Sequence, residues 1–129
     1  MNTKVKIDTK EKFHVITPLE PHIPANLTDN IRNMMHGFLE NPIKNVVFNA
    51  ENVESMEKPV ADCLATLQGE FQTRNASFVI CCLRPPVRQQ LESLNLLDLL
   101  NVTPTESEAW DIVQMEEIER ELFGNETDD

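Results

Sequence analysis

Val46–Leu67 reads VVFNAENVESMEKPVADCLATL, and the passage from strand to helix inside it decides the fold. Val46-Val47-Phe48 is a short apolar run between polar residues, as a strand buried on both faces requires. Val60, Leu64, Leu67 and Phe71 then recur at spacings of four, three and four, which is one stripe of an amphipathic helix. Between them lies the turn Glu54-Ser55-Met56-Glu57-Lys58-Pro59. In α/β proteins such a turn gathers functional groups, because first-turn N–H groups and loop side chains converge there.

Working outward, residues 4–8 and 12–17 alternate as two strands of an antiparallel hairpin. Pro18, Pro21 and Pro24 end the second strand and punctuate a loop. Asn26 is placed to cap a helix carrying Leu27, Ile31, Met34, Met35 and Phe38 at helical spacing, and Asn41-Pro42 closes it. Downstream, Ala76–Cys82 is a second apolar run of strand length. Pro85-Pro86 opens a helix with Val87, Leu91 and Leu94 on one face, and a short strand follows near 100–103. Thr105 and Glu108 form a T-x-x-E capping box for a last helix. Ile112, Met115, Ile118 and Leu122 keep it amphipathic to Phe123, where Gly124 is expected to end it. The order β-β-α-β-α-β-α-β-α, with apolar central strands joined by helical crossovers, predicts a single α/β domain. Its sheet is mixed, mostly parallel and five-stranded, with four helices.

The chain has 129 residues, 40% of them apolar, enough for one domain with a real core. Its net charge of −11 is uneven: residues 106–129 hold ten acids against one Arg, whereas the remainder is nearly neutral. That acidic arm would repel phosphate backbones, and aromatics at 5% with no Tyr make no base-stacking surface. Nucleic acid is therefore excluded as a partner. MNTKVKIDTK carries no apolar segment of the signal-peptide kind, and no apolar run is long enough to insert in a membrane. Three cysteines form no disulfide framework, so a reducing cytoplasm is expected.

No catalytic set assembles. Cys81-Cys82 is not a CxxC pair, and adjacent strand residues point to opposite faces, so these thiols and Cys63 read as small packing residues. His14, His22 and His36 share no spacing that suits a metal. With only three glycines, the chain has no phosphate-cradling loop. No cofactor is expected.

Three stretches together resemble the sulfate-transporter and anti-sigma-factor-antagonist (STAS) domain. Ile23-Pro24-Ala25-Asn26-Leu27-Thr28 is similar to that family's entry into its first helix. Val46–Val53 is similar to its central strand, and Phe78–Leu91, continuing through Leu97, to its fourth strand and third helix. The likeness runs in order from about residue 4 to about 113. It departs at the turn. Regulated antagonists of the family carry Asp-Ser-Ser-Gly there, the second serine accepting phosphate from a partner kinase. Aligned on this chain, Glu57 stands for the Asp, Lys58 and Pro59 for the serines, and Val60 for the Gly.

The resemblance implies a non-enzymatic protein–protein interaction module, similar to an anti-sigma factor antagonist but without a phosphorylation site at the usual turn. It implies a bacterial, cytoplasmic signalling role in transcription regulation and a protein partner of the anti-sigma-factor, serine-kinase ATPase type. Partner-binding residues are expected at Asn26, Met56, Glu57, Lys58, Pro59 and Val60, with Met56 exposed. Lys58 is disfavoured by the helix dipole there by about 0.3–1 kcal/mol, which suggests a use beyond folding. Alternatives are a STAS regulatory module binding a nucleotide or lipid, and a scaffold subunit of a regulatory or transport complex. Residues 1–113 are expected to form the domain, 114–123 an acidic extension serving a partner or a second copy in a homo-oligomer, and 124–129 a disordered tail.

Overall fold

The computed structural model describes residues 4–127, with side chains through Phe123. Strands β1 (Val5–Thr9) and β2 (Phe13–Pro18) form the antiparallel hairpin, closed by Lys10 N–H on Phe13 O at 2.8 Å. Then follow β3 (His22–Ile23), a 3-10 turn (Ala25–Leu27), α1 (Thr28–Leu39) and β4 (Asn45–Asn49). Next come β5 (Ser55–Met56), α2 (Lys58–Thr73), β6 (Phe78–Cys81) and α3 (Pro85–Ser93). A second 3-10 turn (Leu97–Leu99), β7 (Val102–Thr103) and α4 (Glu106–Thr127) complete the chain.

The main sheet runs β1-β2-β4-β6-β7, with only β1–β2 antiparallel. This is the mixed five-stranded sheet with four helices that the pattern predicts. Each crossover steps one strand in the same direction, so a common right-handed sense puts α1, α2 and α3 on one face. Alternation along the strands then separates two cores. Ile16, Val46, Phe48, Phe78 and Ile80 meet Ile31, Met35, Leu64, Leu67, Phe71 and Leu91 beneath those three helices. Phe13, Val15, Val47, Val79 and Cys81 face the other way, against Ala109 and Val113 of α4. A single helix covers that second face.

Four local readings need correction. Asn26 caps nothing: it lies exposed inside the 3-10 turn, and α1 begins after Leu27 without a side-chain cap. Thr28 instead donates its hydroxyl to Ala25 O at 2.7 Å. The loop of prolines contains a strand, β3, which pairs in parallel with β5 as a separate two-stranded sheet. Cys82 does not point away from Cys81. Its φ of 64° takes the chain out of the strand, and its side chain packs on the same cluster as Cys81. Finally, α4 continues past Gly124 to Thr127, because glycine lowers helix propensity by about 1 kcal/mol without forbidding the helix. The disordered tail expected from 124 is thus helical as far as Thr127, and Asp128 and Asp129 lie outside the described residues.

The capping box exists in modified form. Thr105 Oγ1 accepts the Glu108 N–H at 3.2 Å, while its hydroxyl faces Glu108 Oε1 at 3.2 Å.

Candidate functional site

The turn at the carboxyl end of β4 is built from the backbone upward. Asn49 Oδ1 accepts Glu51 N–H at 2.9 Å, and Val53 N–H reaches Ala50 O at 3.0 Å, which reverses the chain. Glu54 and Ser55 N–H both bond Pro21 O, and Glu57 N–H bonds Ile23 O at 3.0 Å. The β3–β5 pair therefore stitches this turn to the loop before α1. On the other side, Gln90 of α3 donates to Met56 O at 2.7 Å, and Arg84 donates to Glu51 O at 2.6 Å.

Of the six residues predicted to bind a partner, four are at the surface. Glu57 precedes α2 in extended conformation (φ −78°, ψ 154°) but does not cap its own helix with its side chain. Its Oε1 accepts the Ala25 N–H at 2.7 Å, which holds the 3-10 turn, and Asn26 within it, against the start of α2. Lys58 and Pro59 are the first two residues of α2 and both are exposed. Lys58 pairs with Asp62 one turn along at 2.8 Å, with side chains 66% and 46% exposed. Its unfavourable place near the positive helix end thus has a local counter-charge.

Met56 and Val60 are not surface residues. They are 4% and 0% exposed and belong to the core beneath α1–α3. The reason is alternation: β5 turns Ser55 outward and so turns Met56 inward, and Val60 begins the buried stripe of α2. They support the surface from below.

The thiols sit in surroundings that oppose ionisation. Burial pushes the Cys63 thiol up, against the opposing Arg32 guanidinium. Burial, then the neighbouring Cys82, raise Cys81 well above the ordinary thiol range. Raised thiols are poor nucleophiles at neutral pH. Among the described residues, no group of His, Cys, Asp and Glu is placed to hold a metal ion.

Sequence reasoning missed the groups that fasten the turn: Gln90, Arg84, and the bond from His22 Nδ1 to Ser55 Oγ at 2.7 Å. Each partner lies more than thirty positions away, as His22 does from Ser55, so no spacing could reveal it. Only Asn49-Ala50-Glu51 carried a local signal, that of an Asx turn.

A STAS domain model matches residues 5–109. The chain belongs to the STAS domain family. No curated protein sequence matches it. Among solved structures, a Thermotoga maritima protein described as a candidate anti-sigma factor antagonist superposes with a TM-score of 0.77 at 14% identity, over 85% of this chain and 94% of that one. An anti-sigma factor antagonist from Mycobacterium paratuberculosis gives 0.74 at 14% identity, covering 86% and 93%. Unphosphorylated SpoIIAA, the anti-sigma factor antagonist of Bacillus, gives 0.70 at 17% identity, covering 86% and 96%. At these identities the likeness establishes a STAS fold. No helix among the described residues is long and apolar enough to cross a membrane.

Proposed function

We propose that this STAS domain is a non-enzymatic regulatory module that binds a protein partner through the first turn of α2 and the adjoining 3-10 turn, without a phosphorylation switch at that turn. One observation carries the reading. The two positions that the resemblance aligns with serines are Lys58 and Pro59, exposed at the start of α2, and neither side chain has a hydroxyl. The contact surface consists of Asn26, Glu57, Lys58 and Pro59, with Met56 and Val60 as its buried support. Solved relatives named as anti-sigma factor antagonists favour a partner of the anti-sigma-factor ATPase class. A cytoplasmic location in a bacterial signalling pathway goes with that partner.

The test combines chemistry and binding. A purified anti-sigma-factor-type ATPase from the same genome is incubated with the domain and ATP, and the 55–60 turn is examined by mass spectrometry. No phosphate is expected there, and phosphate on Ser55 would overturn the unswitched reading. Lys58→Glu should weaken association and change its salt dependence. Its stability should stay within about 0.5 kcal/mol of native, since a better dipole interaction offsets the lost pair with Asp62. Unaltered affinity and salt dependence would remove the turn from the interface.

A further inference from the structure

The outward face of α4 is the wrong way round for a helix already docked on a sheet. Ala109 and Val113 point into the sheet and are fully buried. Met115, Ile118 and Leu122, at helical spacings of three and four, share the opposite face and are 57%, 56% and 60% exposed. Phe123, 61% exposed, lies off this stripe, over a separate groove with Gln72, Asn75 and Ala76. Met115, Ile118 and Leu122 thus line up as an exposed apolar ridge along α4.

The ridge does not stand alone. Ile118 also lines an open groove of about 350 Å³ between α4 and the hairpin turn, walled by Phe13, Trp110 and Gln114, where two bases, Lys10 and Lys12, offset two acids, Glu11 and Glu117. Phe13 and Trp110 pack with ring centroids 5.4 Å apart. The Trp110 indole N–H finds no acceptor among the described residues. Ile118 thus joins the apolar ridge to a mostly apolar groove.

Charge decides what covers it. Exposed Glu119 borders the apolar residues and exposed Glu108 and Asp111 extend the acidic surface toward the start of α4, while Glu121 on the other border lies 4.0 Å from Lys12. Residues 106–129 hold ten acids against a single Arg. A second copy would bring these acidic borders together, and like charges across an interface oppose association. Anionic lipid is repelled by the same field. We propose that the Met115–Leu122 face of α4 is a docking site for a cationic amphipathic helix of another protein, its apolar side on Met115, Ile118 and Leu122 and its basic rim on Asp111 and Glu119. This site lies at the amino ends of β4 and β6, where Glu116, Glu117 and Arg120 meet Asn45 and Ser77. The turn before α2 is at the carboxyl end of β4, so the two surfaces can be tested apart.

The probe is a synthetic helix of leucine and lysine, with a leucine–glutamate counterpart as control. Trp110, the only tryptophan, reports occupancy of the groove by fluorescence, and calorimetry gives the affinity. The cationic helix is expected to bind, to weaken as salt rises, and to weaken about tenfold or more against Ile118→Ser/Leu122→Ser. Both side chains are exposed, so circular dichroism should show the double variant folded. Lys58→Glu should bind the probe as the native protein does. The proposal is overturned if the cationic helix fails to bind, if the glutamate helix binds equally, or if the serine variant binds undiminished. It is also overturned if sedimentation shows a dimer, or flotation shows binding to phosphatidylcholine–phosphatidylglycerol vesicles, that Leu122→Ser abolishes.

Discussion

A single carboxylate links the two halves of the candidate surface. Glu57 spends its side chain on the Ala25 N–H at 2.7 Å, although a residue in the cap position of a helix would ordinarily serve its own first turn. Glu57→Ala removes that acceptor and should cost about 1 kcal/mol, or about 3–5 °C in Tm for a domain of this size. Glu57→Gln keeps an oxygen acceptor and should lose about half as much. Thermal unfolding of both variants measures this directly, and an unaffected Glu57→Ala protein would show that the bond does not anchor the 3-10 turn. Pro59, exposed at the second position of α2, sits where a missing N–H costs nothing. Pro59→Ser should therefore change stability by at most about 1 kcal/mol while giving the turn a hydroxyl, which makes it the natural comparison for the phosphorylation assay.

At the scale of the element, α4 is fastened by two different kinds of contact. Its first half is apolar against the sheet. Its second half is held by polar groups: Arg120 donates to Asn45, Ser77 and Glu117 at 3.2, 3.0 and 2.9 Å, Asn45 donates to Glu117 at 2.7 Å, and Ser77 donates to Glu116 at 2.5 Å. Truncation after Gln114 removes this clasp but no buried apolar side chain. The expected loss is about 1–3 kcal/mol, well short of what four buried apolar residues would cost at about 1.5–3 kcal/mol each. Chemical denaturation of the truncated chain distinguishes the two sums. The clasp is also acid-sensitive. Burial works to raise Glu117, but bonds from Asn45 and Arg120 and the charges of Arg120 and Lys12 outweigh it and lower its pKa. A carboxyl depressed in the folded state stabilises above its unfolded value of about 4.3 and loses that contribution as pH falls through the folded value. Tm should therefore drop more steeply below about pH 4.3 in the native protein than in Glu117→Gln; equal slopes would sink the assignment.

Across the whole molecule, stability is concentrated in the middle of the sheet. β4 and β6 have neighbours on both sides and apolar cover on both faces, whereas β1 is an edge strand whose side chains are mostly exposed. Amide exchange should be slowest in Val46–Phe48 and Val79–Ile80 and fastest in β1. Protection of β1 equal to that of β4 would mean that its free edge is covered in solution.

The sequence by itself determined the architecture, because periodicity is a local property. Alternation marked the hairpin, unbroken apolar runs marked β4 and β6, and the Val60–Phe71 stripe marked α2. The single direction of the crossovers then followed from handedness. The position of the candidate turn was legible in the same way, since it lies between a strand and a helix that both announce themselves. Which of its side chains face solvent was not. Met56 is buried because two residues of β5 pair with two residues of β3, and a two-residue strand has no periodicity to read. Asn26 lost its capping role, and Glu57 gained a partner, through contacts that join residues about thirty positions apart, such as Ala25 with Glu57. The sequence raised a partner role for the end of α4 but left open which way Met115, Ile118 and Leu122 face, for a helix apolar on two sides looks in sequence like one with a broad buried stripe. Tertiary structure decided these because only the folded chain specifies which face meets the sheet and which meets water.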